Sequence, residues 1–201
     1  QMSPRFHCDW WEGQERRVQV WVEKDALSAV VQRACNRWHV DYFPCKGYMS
    51  ASAIWSMARW MVESGHDDWV VLHLGDHDPS GIDMTRDIAE RLKLYSTPIG
   101  ENGEHRPSIE VKRIALNMPQ IEEHNPPPNP AKMTDSRAAG YVDAYGTDSW
   151  ELDALEPNTI VELIEDQIHN LISDQREFDE RRQYQRNVRK MLRSIQVDGF
   201  E

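Results

Sequence analysis

"DWVVLHLGDHDPSGIDM", residues 68–84, is the stretch whose reading decides the fold. Trp69 to Leu74 form an apolar run broken only by His73. Near-continuous apolar runs suit strands covered on both faces, as in a parallel sheet. Gly75 ends the run, and Asp78-Pro79 supplies a helix start, with Asp as N-cap and Pro at the first helical position. One short segment therefore reads strand, turn, helix.

The same alternation extends outward. "VQVWVE" (18–23) reads as a strand, and "KDALSAVVQRACNRW" (24–38) places Leu27, Val30, Val31, Ala34 and Trp38 at helical spacing. "VDYFPC" (40–45) is a second strand, "KGY" a turn, and "SASAIWSMARWMVESG" (50–65) a helix closed by Gly65. "SGIDMTRDIAERLKL" (80–94) is a third helix and "SIEVKRIAL" (108–116) a fourth strand. This order predicts an α/β fold with a central parallel four-stranded sheet flanked by helices. Residues 117–140 carry five prolines and read as an arm with little regular structure beyond a helical turn around 120–124. From Asn158 to about Val197 the apolar spacing is helical. The expected organisation is an extension over 1–17, the α/β domain over 18–156 and a helical segment over 157–201.

A chain of 201 residues, 39% hydrophobic and with eight tryptophans, has the material for a sizeable core and does not read as disordered. No apolar run approaches membrane-spanning length, and the first residues lack a signal-peptide core, so no membrane partner is expected. Three cysteines without CxxC spacing suit reduced thiols and a cytoplasmic setting. The net charge of −11 argues against a uniformly basic nucleic-acid-binding surface. Charge does segregate: Arg176 to Arg193 holds seven Arg/Lys against three Asp/Glu. The plainer reading of that segment is a solvated helix face.

Ligands of parallel α/β sheets collect at the carboxyl ends of the strands. Glu23 ends the first strand, and Asp76 and Asp78 follow the third. If those strands are neighbours, three carboxylates meet and repel, and a hard divalent cation is one remedy. In an extended segment, residues i and i+2 face the same side, so Asp76 and Asp78 can share an ion. Asp78 is explained equally well as a helix cap; Asp76 and Glu23 are not. His77 should point away from the pair, and His73 reads as a core histidine.

"VWVEKDAL", "CKGYMS" and "LGDHDPSGIDM", in that order, resemble the Toprim domain as found in the DNA-cleaving subunit of topoisomerase VI and in its meiotic double-strand-break relatives. "VKRIAL" and "WELDAL" are similar to later blocks of that group, so the resemblance covers roughly residues 18 to 156. It implies a Rossmann-like Toprim fold and Mg²⁺, with Mn²⁺ as substitute, held by Glu23, Asp76 and Asp78. It implies DNA as partner, Glu23 as general acid or base, and Lys24 beside it on the carboxylates or on phosphate. It also suggests a homodimer and, in a bacterial or phage setting, association with the nucleoid. If the arm folds back to the strand ends, Lys132 and Arg137 could bind DNA phosphate; otherwise they are ordinary loop charges. Glu151 and Asp153 are weaker candidates for further metal ligands.

The resemblance departs at the nucleophile. Topoisomerase VI-type cleavage uses a tyrosine on a winged-helix domain that precedes Toprim. Here only about 17 residues precede the first strand, and none of Tyr42, Tyr48, Tyr95, Tyr141, Tyr145 or Tyr184 stands in such a domain. The expected function is the metal-binding part of DNA phosphodiester cleavage and rejoining, its tyrosine domain lying upstream or on another chain. The alternatives are a Toprim nuclease that uses water and a non-catalytic module for DNA or protein contacts.

Overall fold

A computed structural model of the chain describes residues 6–97 and 106–198. Its main sheet contains four parallel strands: β1 (Arg17–Val22), β2 (Asp41–Pro44), β3 (Asp68–Leu74) and β4 (Ser108–Ala115). Their order across the sheet is β2-β1-β3-β4. The apolar run at 69–74 thus lies on an interior strand, and residues Trp69–Leu74 are buried throughout. The α/β expectation holds, in a form consistent with a Rossmann-like fold.

Helices cover both faces. On one side α2 (Ala51–Glu63) and α3 (Pro79–Tyr95) bring Ile54, Ala58, Met61, Ile88 and Leu92 onto Trp21, Trp69 and Val71. Val20, Val22, Val70 and Leu72, of opposite strand parity, are also buried and face the other side. There α1 (Ser28–Trp38) packs on β1, and α6 (Pro157–His169) packs on α1 and β4. Val31, Ala34, Ile160, Ile164 and Ile168 are all fully buried. Residues 25–27, read as the start of the first helix, form a separate 3₁₀ turn.

The expected division placed a boundary at residue 156. The chain divides into two compact units, one of Arg16–Leu171 and one of Gln1–Glu15 with Ile172–Glu201. Helix α6 belongs with the sheet because its apolar stripe docks on α1 and its polar side is tied down there too. Glu165 accepts from Arg37, Asn158 from Arg33, and the His169 ring stands edge-on to Trp38. The helical pattern from Asn158 onward is accordingly two helices, α6 and α7 (Gln175–Asp198), interrupted over 170–174. In the second unit Phe178 of α7 is fully buried and meets the Trp10 and Trp11 rings edge-on at 5.8 and 5.5 Å.

The arm also holds more structure than its prolines suggest. It forms α4 (Met118–His124), α5 (Ala138–Tyr145) and a two-residue antiparallel pair, β5 (Asn129–Pro130) with β6 (Asp148–Ser149). Among the described residues no helix is long and apolar enough to cross a membrane.

Cys35 and Cys45 are buried, and burial pushes both thiols up to about 12. Ellman's reagent at about pH 8 should therefore titrate no more than Cys8 in the native protein, and all three thiols in guanidinium. Two or more fast-reacting native thiols would contradict this packing.

Candidate functional site

The connections from β1 and β3 lead to opposite sides of the sheet, since β2 lies outside β1 and β4 lies outside β3. The switch point is therefore between β1 and β3, where open α/β sheets bind their ligands at the carboxyl ends. Glu23 and the Gly75–Asp78 turn stand there. The Glu23 amide donates to the Leu74 carbonyl at 2.9 Å, and Glu23 Oε2 accepts from the Asp76 amide at 3.0 Å. Only a bare backbone fits between them, because a Cβ at Gly75 would lie 2.8 Å from Glu23 Oε2.

Each acid has a distinct set of partners. Asp76 Oδ1 accepts from the Leu152 amide at 2.7 Å and lies 3.4 Å from Lys24 Nζ. Asp78 caps α3, its Oδ1 accepting from the Gly81 amide at 2.6 Å and from Ser80 Oγ at 2.9 Å. Glu23 Oε1, Asp76 Oδ2 and Asp78 Oδ2 take no hydrogen bond from the described residues. Burial, then the nearby charges of Asp76 and Asp78, push Glu23 up to about 7. Burial also raises Asp76, against the opposing pull of the Leu152 amide and Lys24. The two explanations of Asp78 are thus compatible: one oxygen caps the helix while the other stays open.

Two cations serve this edge. Lys24 Nζ is 2.7 Å from Asp153 and 2.9 Å from Glu151, besides Asp76. Burial disfavours its charge, but those carboxylates more than compensate and hold it above the ordinary lysine value. Glu151 and Asp153, weaker candidates as metal ligands, are engaged as partners of Lys24. The second cation is Arg113 on β4, which the sequence reading did not single out. Its Nη2 donates to the carbonyls of Gly75 (2.9 Å), Asp76 (2.6 Å) and Leu116 (3.2 Å). Its Nη1 donates to the Gly81 carbonyl (2.9 Å) and Thr85 Oγ1 (3.0 Å). Burial lowers Arg113 to about 10, moderated by Glu23, Asp76 and Asp78. The charged pair Lys112-Arg113 within an otherwise apolar strand end was the available signal, since an inward arginine there requires acceptors.

The arm does fold back. His77 and Trp150 exchange backbone hydrogen bonds at 2.8 and 2.9 Å, docking the "WELDAL" segment on the acidic turn. A cleft of about 250 Å³ opens there, with Asp76, Asp78, Lys132, Ser149, Trp150 and Glu151 in its wall. Lys132 thus joins the aspartates, whereas Arg137 is placed elsewhere. It pairs with Asp83 and Asp135 at 3.0 Å and lies over the Tyr48 ring. His77 turns into protein, its Nδ1 2.7 Å from Tyr141 Oη and its ring among Tyr141, Tyr145 and Trp150. His73 is fully buried, with Nδ1 2.8 Å from Thr85 Oγ1; burial and Arg113 lower it to about 3.

Among the described residues, no group of three or more His, Cys, Asp or Glu side chains is placed to hold a metal ion. The donor chemistry nevertheless fits a hard cation that keeps much of its water: carboxylate oxygens only, one unengaged on each acid, with repulsion between them that a cation relieves. Scans of protein-family models and searches of curated proteins and solved structures returned no match to this chain.

Two measurements test the electrostatics. Folded Glu23 protonates near 7 and its ordinary value is 4.5, so the native state binds more protons between those values. Stability should fall as pH rises through that window. Metal-free Glu23→Gln should melt like the parent near pH 4 and be more stable near pH 8, by on the order of 2 kcal/mol. Identical melts at both pH values would count against a strained Glu23. Arg113→Met should cost roughly 3–5 kcal/mol in urea unfolding, because it strips several carbonyls and leaves the acids uncompensated. Arg113→Lys should recover only part of that, lacking the planar fork.

Proposed function

We propose that this chain is a Toprim-type domain supplying the metal-binding part of a DNA phosphodiester-cleaving centre. The observation that carries the reading is the convergence of the "VEK" and "DHDPSG" blocks. Glu23, Asp76 and Asp78 stand at one switch point, beside a cleft that also carries Lys132. Glu23, Asp76 and Asp78 are the residues that would hold Mg²⁺ or Mn²⁺ through their unengaged oxygens. When bound, the ion supplies Lewis-acid stabilisation of charge on the scissile phosphate and its leaving 3′ oxygen.

The chain's own groups have separable tasks. Lys132 faces the phosphate from the arm side of the cleft. Glu23 is the carboxylate that would exchange a proton with the departing 3′ oxygen. Lys24 and the Leu152 amide fix Asp76, and Arg113 fixes the turn that carries both aspartates.

One observation favours water as the nucleophile where only the described residues act. Burial and then Asp83 raise the Tyr48 phenol, which donates to Asp83 at 2.6 Å. Burial and then Asp78 raise that of Tyr141. Both remain protonated at neutral pH and are poor attacking groups. A topoisomerase-like cycle would draw its tyrosine from another domain or chain and would leave a covalent protein–DNA adduct. Hydrolysis would leave none.

Supercoiled plasmid and Mg²⁺ provide the test. Asp76→Asn should lower nicking by at least about 100-fold, as should chelation, while Lys132→Ala should weaken nicking without abolishing it. Nicking that persists in Asp76→Asn, or a parent protein that neither nicks nor binds Mg²⁺, would remove this reading and favour a non-catalytic module.

A further inference from the structure

We infer that the later part of α7 is a docking surface for the phosphate backbone of duplex DNA. Residues 181–197 contain Arg181, Arg182, Arg186, Arg189, Lys190 and Arg193 and no Asp or Glu, in a chain of net charge −11. Of the acids of this helix, Glu177, Asp179 and Glu180 precede that stretch and Asp198, the last helical residue, follows it. A basic residue or two near a helix C-terminus answers the helix dipole; an acid-free run of this length exceeds that need.

The positions also form a stripe. At about 100° per residue, Arg182, Arg186, Arg189, Lys190 and Arg193 fall within a sector about 100° wide. They recur at i, i+4, i+7/i+8 and i+11, so a cation is offered every 5–6 Å or so over roughly 16 Å of axis. Duplex DNA presents a phosphate about every 3.4 Å along each strand, a charge density such a row can follow.

Part of the row is anchored and part is open. Arg182 lies over the Trp10 ring at 5.6 Å, and Arg189 Nε donates to the Phe6 carbonyl at 2.9 Å. Arg181, off the stripe, is held by Glu177 and Glu12. Arg186, Lys190 and Arg193 are exposed and form no ion pair with another described residue.

An anionic membrane is the other polyanion a basic helix can meet, but membrane-surface helices insert an apolar face beside their charges. Among the residues whose exposure is described, the exposed large apolar residues of α7 are Tyr184 and Met191. By the same helical arithmetic they lie on the side nearly opposite the stripe. The stripe stands on its own charges; the choice of DNA among phosphate polymers rests on the cleavage reading above.

Fluorescence anisotropy with a labelled duplex of about 24 base pairs, in EDTA and low salt, tests the inference. The full chain should bind, and Arg186→Ala/Lys190→Ala/Arg193→Ala should weaken binding by at least about tenfold. The slope of log K against log salt should flatten by about 2–3. Arg186→Lys/Arg193→Lys should bind like the parent, and circular dichroism should show equal helicity in all three proteins. A triple variant with parental affinity, a parent that does not bind duplex, or a parent that binds anionic vesicles in preference to duplex would overturn the inference. Nicking that is lost in Asp76→Asn, with binding unchanged in the triple variant, would leave the cleavage reading standing alone. Stripe-dependent binding without any nicking would do the reverse.

Discussion

The Arg113 guanidinium donates to the carbonyls of Gly75, Asp76, Gly81 and Leu116. These belong to the turn after β3, the first turn of α3 and the exit from β4. The Gly75 carbonyl also accepts from the Leu116 amide, but buried carbonyls beyond the ladder are costly to leave without donors. One planar donor group satisfies them together and fixes how the β3 turn leaves the sheet. The direction of Asp76 and the start of α3 both follow from that. The position of Asp78 follows in turn, since its side chain caps the helix whose first turn Arg113 holds.

The same residue answers an electrostatic need. Glu23, Asp76 and Asp78 crowd one switch point, and Glu151 and Asp153 stand just outside it. Lys24 and Arg113 are bonded there and Lys132 lines the cleft, and the five carboxylates outnumber these cations. The fold therefore carries an uncompensated negative potential at the mouth of its cleft. Lys24 is committed to acids and Arg113 to carbonyls, so neither can rotate away to meet a ligand without loosening the turn. Lys132, on the arm, lines the same cleft and has no such commitment shown, which is why the proposed phosphate contact is assigned to it.

Much of this was legible in the sequence, for identifiable reasons. The β1 and β3 runs, the Asp78-Pro79 cap and the helical spacing of α1–α3 are local signals, each set by residues within a turn or two. The pairing of Glu23 with Asp76 was inferable because parallel strands end on one side. Arg113 was hard to foresee, as all its partners but Leu116 lie some 30 residues away along the chain, and a basic residue late in a strand reads first as an edge charge. The arm misled because proline frequency signals lost helix and strand hydrogen bonds. It carries no information about side-chain docking, and here Trp150 and Leu152 anchor the arm through their amides. The docking of α6 on α1 was not legible, because Pro157 marks a helix start and helical periodicity does not say which surface that helix will cover.

Gly75 and Gly81 set a different kind of limit. A side-chain carbon at Gly75 would press on Glu23, His73 and Arg113, and one at Gly81 would collide with the Asp76 carbonyl oxygen. On the sheet side, then, the acids rest against peptide that has no room for elaboration. The opposite wall belongs to Asn129, Pro130, Lys132, Ser149 and Trp150, in segments held by a short β-pair and a few backbone bonds. A lineage built on this scaffold would have one wall closed to experiment and one open to it. New preferences for what enters the cleft would be written in the arm, while the acidic floor stayed as it is.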